Sequence, residues 1–197
     1  MFDTKKKYRC VKADPPWNHV TWTDKGKEGR PQHYSRMSID DICAMPVVDI
    51  CHDDCWLFLW TTSPHLEQAF RVMHAWGFTY SSMGFVWIKV NKTPAAYVKT
   101  AKGVVVPAYT SQDLFTGQGY TTRKNAEFCL LGRRGKPKRL SKSIHEVIVA
   151  QRREHSRKPD EAYDRVKKYC AGPRIELFSR ENRAGFDVWG NEVGKFE

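Results

Sequence analysis

The chain has 197 residues, 41% of them hydrophobic and 13% aromatic, enough apolar material for a packed core and too much for global disorder. Its 33 Lys and Arg against 22 Asp and Glu leave a net charge of +11, which points to a polyanionic partner. No run approaches the roughly 18 apolar residues of a membrane span, and residues 1–7 lack the apolar stretch of a secretory signal, so a soluble, cytoplasmic protein without membrane contact is expected.

Residues 8–13 read as a strand, and Asp14-Pro15-Pro16-Trp17 follows at once. In an open α/β sheet, ligands bind beyond the carboxyl ends of the strands, where this tetrapeptide would lie. Two consecutive prolines fix φ and remove two backbone donors, leaving rigid carbonyls that only accept hydrogen bonds. Asp14 adds an anionic acceptor, and Trp17 offers a flat face for a base to stack on. The set forms a donor-free cradle for an exocyclic amino group; accepting both amino hydrogens exposes the nitrogen lone pair to an electrophile. The alternative is a rigid proline turn after a strand.

Further along, residues 18–37 fit neither helix nor strand and read as one rim of a site. A short helix is predicted from Ser38, with Asp41 three residues on as in a capping box. The continuous apolar run Trp56-Leu57-Phe58-Leu59-Trp60 places a strand at 55–61, buried on both faces. Ser63-Pro64 opens a helix whose Leu66, Ala69, Phe70, Met73 and Trp76 share one face, and Gly77 ends it. After a strand at 83–89, residues 90–123 form a second rim loop. Strands follow at 126–131, 145–150 and 174–178. Between the last two lies a helix over 159–170, its stripe made by Ala162, Val166, Tyr169 and Cys170. Alternating strands and helices predict an α/β fold of Rossmann type, a mostly parallel sheet covered by helices, in one domain over 1–197. Six cysteines without paired spacing read as buried free thiols, with no metal site.

The charge is unevenly placed. Residues 133–158 hold ten basic residues against Glu146 and Glu154. Within them Arg133, Arg134, Lys136, Lys138 and Arg139, broken by Gly135 and Pro137, read as a loop that follows a phosphate backbone. An ordinary solvated face is the alternative.

Asp-Pro-Pro-Trp resembles the catalytic signature of the MT-A70-like family of S-adenosylmethionine-dependent adenine N6-methyltransferases. The resemblance extends through residues 33–38, 56–61, 119–127, 156–163, 175–180 and 189–192 in family order. It implies a circularly permuted Rossmann-like methyltransferase fold, with the catalytic loop first and the cofactor half C-terminal. Asp14, Pro15, Pro16 and Trp17 would be catalytic. Asp14 would also touch the cofactor, and Lys158 would hold the cofactor's carboxylate. Arg180, Asn191 and Glu192 would bond its ribose and adenine, with Leu177 and Phe178 lining that pocket. Tyr34 would wall the target base, Tyr120 or Tyr109 would stack on it from the second rim, and Arg123 would meet substrate there. Ser179-Arg180-Glu181-Asn182 stands where ordinary methyltransferases have a glycine-rich turn, and Asn182-Arg183 replaces the His-Asn pair of some relatives. The expected substrate is DNA, as for compact bacterial or phage-type members, with RNA or a catalytically silent nucleic-acid-binding subunit as the rivals. Homo- or hetero-oligomers are compatible with the sequence. Because adenine N6 is inaccessible inside a duplex, the base must be flipped or unpaired.

Overall fold

The apolar runs pair into a seven-stranded sheet in a computed structural model that describes residues 2, 5–17, 37–94, 96–117, 121–154 and 157–195. The strands are β1 (Tyr8–Ala13), β2 (Cys51–Thr61), β3 (Thr79–Val90), β6 (Ala126–Arg134), β7 (Val147–Gln151), β8 (Arg174–Leu177) and β9 (Asp187–Trp189), ordered β7-β3-β6-β2-β1-β8-β9. β4 (Ala96–Lys99) and β5 (Val105–Ala108) form a separate two-stranded hairpin. β6 runs antiparallel to both neighbours, and every other pair in the large sheet is parallel. The mostly parallel Rossmann-like fold expected from the alternation is the one observed.

Helices cover both faces. α1 (Ile39–Cys43) and α2 (Leu66–Ala75) bury Ile42, Ala69, Val72 and Met73 with Leu57, Leu59 and Leu130 on one side. α3 (Asp160–Tyr169) buries Ala162, Tyr163 and Val166 with Trp56, Phe58, Trp60 and Phe85 on the other. The two cores therefore take alternate residues of β2, as period-2 side-chain geometry requires. Local signals are realised atom by atom. Ser38 caps α1 by accepting from the Asp41 amide at 3.0 Å. Gly77, at φ +77°, closes α2, with the Phe78 amide reaching back to the Met73 carbonyl at 3.0 Å. Ser63 is not a cap: it begins a 3-10 turn over Ser63–His65 that precedes α2.

The longest departure is at 90–123, expected to be structureless, where β4 and β5 lie. Their period is hidden by Pro107 and by side chains exposed on both faces. The early part of β3 escapes a reading by periodicity because register shifts at Tyr80/Ser82 and Met83/Phe85 break its alternation. The first rim loop falls outside the described residues except for Met37. Among the described residues no helix is long and apolar enough to cross a membrane.

Candidate active site

β1 lies between β2 and β8, with Ala13 opposite Leu59 on one side and Leu177 on the other. The tetrapeptide therefore leaves the carboxyl edge near the middle of the sheet. The Trp17 amide donates to the Pro15 carbonyl at 2.8 Å, and the Met37 amide to the Pro16 carbonyl at 3.3 Å. Each oxygen keeps a second lone pair. Trp17 itself corrects the expectation of an open stacking face. Its ring is 4% exposed, its Nε1 donates to the Trp60 carbonyl at 3.0 Å, and it stacks on His65 at 5.9 Å. The indole is committed to the core and anchors the loop that carries Asp14.

From Asp14 a chain of charges crosses the mouth of the sheet. Lys158 Nζ bonds Asp14 Oδ2 and lies 3.2 Å from Glu127 Oε2, while Glu127 Oε1 accepts from Lys89. The four groups come from the loop after β1, the segment before α3, β6 and β3. Burial works against the Lys158 ammonium, but the carboxylates of Asp14 and Glu127 outweigh it and its pKa is raised. Burial likewise works against charge on Glu127, and Lys158 and Lys89 reverse the sign, so its pKa is lowered. Lys158 was expected on the cofactor's carboxylate. Its side chain is 4% exposed and already engaged by two carboxylates, so what it fixes in this structure is Asp14. Trp60, whose ring lies 5.5 Å from Lys158 Nζ, keeps a buried indole N–H with no partner among the described residues.

Beside Asp14 opens a cleft lined by Asp14, Pro16, Met37, Phe178, Ser179, Arg180, Trp189, Gly190, Asn191 and Glu192. It brings together five of the residues expected at the cofactor, Asp14, Phe178, Arg180, Asn191 and Glu192. Arg180 and Glu192 pair at 3.0 Å, Asn191 stands next to them in sequence, and Phe178 meets Trp189 edge-on at 5.8 Å. Phe178 sits at φ +61°, a conformation a bulky side chain adopts only under constraint. Leu177 is corrected: fully buried in the first core, it supports the cleft from below and does not line it. Trp189, Gly190 and Met37 were not foreseen as lining residues. Glu127 stood within the motif at 119–127 with no role assigned.

Below this edge, Lys12 and Glu176 form a buried ion pair, and Glu176 also accepts from Tyr163 Oη at 2.8 Å.

Of the expected substrate contacts, Tyr34 and Tyr120 lie outside the described residues. Arg123 is exposed just before β6, on the catalytic edge. The basic run is elsewhere. Arg133 and Arg134 are the last residues of β6, and Arg134 lies opposite Cys55, four residues before the Leu59 that faces Ala13. At about 3.3 Å per residue that is about 13 Å back towards the amino edge. Lys136, Lys138 and Arg139 continue beyond it, the Lys136 amide bonded to Asp54 at 2.7 Å and the Lys138 carbonyl to Trp56 Nε1 at 3.3 Å. Because β6 is reversed, its end points away from the mouth, and the run does not flank Asp14. Asp53 and Asp54 offset part of its charge, Asp53 lying 3.9 Å from Arg134.

A family model described as MT-A70 matches residues 8–192. The chain is 28% identical over 208 residues to the type II methyltransferase M.MunI of Mycoplasma sp, covering 96% of this chain and 79% of that one. It is 30% identical over 177 residues to an N(6)-adenosine-methyltransferase MT-A70-like protein of Drosophila melanogaster, covering 88% and 24%. It is 28% identical to the human N(6)-adenosine-methyltransferase catalytic subunit METTL3, covering 88% and 26%. The chain thus spans about a quarter of the two adenosine enzymes it resembles.

Proposed function

The chain belongs to the MT-A70 family of S-adenosylmethionine-dependent methyltransferases, and from that premise we propose that it methylates the N6 amino group of adenine in DNA, on a base flipped out or already unpaired. The observation that carries this reading is the Asp14 carboxylate, 22% exposed, tied to Lys158 at the lip of the cleft. An acceptor carboxylate beside proline carbonyls suits an amino group, which offers only donors when it approaches edge-on.

The residues of the cleft fit the cofactor. The Glu192 carboxylate suits ribose hydroxyls, the Asn191 amide can both donate to and accept from a purine edge, and Phe178 with Trp189 offers an aromatic wall. The strained backbone at Phe178 is of the kind held only where a site over-determines it. When bound, the cofactor supplies an electrophilic methyl group. Asp14 accepts one amino hydrogen and the Pro15 carbonyl, through its second lone pair, accepts the other. Lys158, braced by Glu127, keeps the Asp14 carboxylate in register with the cleft. Trp17 holds the turn from beneath. Most of the acceleration then comes from orientation.

DNA is favoured because the match spanning most of both chains is to the type II methyltransferase, whereas the adenosine enzymes are matched over about a quarter of their length. The test is incubation with methyl-labelled S-adenosylmethionine and matched single- and double-stranded DNA and RNA, with N6-methyladenine read by mass spectrometry. Label in DNA supports the reading; label confined to RNA replaces DNA with RNA. Nucleic-acid binding with no transfer to any of the four makes the chain a silent subunit.

A further inference from the structure

Among the described residues the β4–β5 hairpin is exposed along all of β4 and at alternate positions of β5. In the β4–β5 hairpin Tyr97 lies opposite Pro107 and Lys99 opposite Val105, so these four share a face, with Val98 and Val106 on the other. Tyr97, Val98, Val104 and Val105 are 61%, 50%, 56% and 63% exposed. A lone two-stranded ribbon is marginal in water, and apolar side chains gathered on it mark a contact surface.

The stem is firmly built. The Asn91 amide donates to the Asp113 carbonyl at 2.8 Å and the Phe115 amide to the Lys89 carbonyl at 2.9 Å. Gln151 Nε2 reaches the Lys92 carbonyl at 2.7 Å and Tyr109 Oη at 3.2 Å. Buried Asp113 accepts from the Thr110 amide at 2.7 Å. A fixed root thus carries an exposed arm.

Place and charge point to one partner. The root joins the carboxyl ends of β3 and β7, the edge that also carries Asp14, on the side away from the cleft at β8 and β9. β3 is three strands from β1, about 14 Å, or about four phosphates along one strand of a duplex. Residues 91–112 contain Lys92, Lys99 and Lys102 and no acid, and all three lysines are exposed. We propose that the hairpin is a nucleic-acid arm, its lysines on phosphates flanking the target adenine and Tyr97 stacked on a neighbouring unpaired base. This rests on the reading of the substrate as a nucleic acid. It moves the phosphate contacts from the basic run at the amino edge to the catalytic edge.

The experiment is fluorescence anisotropy on a labelled adenine-containing oligonucleotide over a salt series, with methyl transfer and sedimentation measured on the same preparations. In K92Q/K99Q/K102Q the slope of log affinity against log salt should flatten by about 2–3, since each phosphate left without its lysine takes about 0.7–0.9 from the slope. Y97A should weaken single-strand binding roughly 5- to 150-fold with the slope unchanged. K136Q/K138Q/R139Q, which removes as many charges from the amino-edge run, should keep the wild-type slope. S-adenosylmethionine affinity should stay at the wild-type value in all three. A wild-type slope in the hairpin triple variant, or a fall confined to the amino-edge variant, overturns the arm while wild-type transfer leaves the catalytic reading standing. A wild-type dimer that Y97A dissociates, with nucleic-acid binding intact, assigns the ribbon to a second copy instead. Wild type that neither binds nor methylates any nucleic acid overturns both.

Discussion

A carboxylate set beside two proline carbonyls and bonded to a buried ammonium has little freedom to reorient, and Asp14 is therefore the residue at which chemistry and geometry separate most cleanly. Asp14→Ala removes the charged acceptor and leaves the Trp17 anchor in place. Methyl transfer should fall by about a hundredfold or more, the order expected when orientation at the reacting atom is lost, while the thermal transition stays cooperative. Initial rates with labelled methyl donor check this; turnover within about twofold of wild type removes Asp14 from the mechanism. Lys158→Met is a different kind of change. It leaves Asp14 without its ammonium and Glu127 with Lys89 as its remaining cation at a part-buried site, and breaking such a pair costs about 3–5 kcal/mol. The double variant Lys158→Met/Glu127→Gln should recover part of that loss, because Asp14 then no longer faces a second carboxylate across the lost ammonium. Urea unfolding of the two variants measures the difference, and equal losses would show that Glu127 is not coupled to Lys158.

At the level of elements, the cleft depends on how closely the end of β9 approaches the end of β8. A Cβ on Gly190 would lie 2.4 Å from the Ser179 carbonyl oxygen and 2.7 Å from its amide nitrogen, both backbone atoms. Neither can move aside as a flexible side chain would, so Gly190→Ala must push the two loops apart. The expected result is a loss of stability of about 1–3 kcal/mol and at least a tenfold weaker S-adenosylmethionine affinity, since Phe178, Asn191 and Glu192 all lie on the displaced segments. Calorimetric titration decides: unchanged affinity places the cofactor away from this cleft. The glycine was visible in the sequence, but its neighbour across the gap was not.

For the whole molecule, the charge chain that joins β1, β6, β3 and the start of α3 makes stability depend on pH in a predictable direction. Glu127 has its pKa lowered from 4.5, so its contribution is present above about pH 4.5 and is lost as pH falls through the lower folded value. Lys158 has its pKa raised from 10.5, so its contribution is present below about pH 10.5 and is lost as pH rises through the higher folded value. The stability advantage of wild type over Glu127→Gln should therefore be flat through neutrality and shrink in acid. Denaturation midpoints of both proteins from about pH 3 to 8 test the sign; an advantage that grows in acid would reverse the assignment of Glu127 as the charged partner.

What the sequence by itself determined follows from forces acting over short separations. Apolar periodicity gave β1, the buried centre of β2, α2 and α3, because burial on one face or two imposes a 3.6- or 2-residue repeat. Ser38 and Gly77 marked helix ends because capping is local, and the proline tetrapeptide marked the site because two fixed φ angles and two missing donors are properties of those residues alone. Partners distant in the chain were decided only by the tertiary structure. Lys158 lies 144 residues from the carboxylate it holds, and strand order brings Glu127 to the same point. Trp17 became an anchor because the Trp60 carbonyl lay within reach of its indole N–H. The basic run left the catalytic edge because β6 is reversed between β2 and β3. Strand direction and register are global outcomes of packing, and they choose which charges meet.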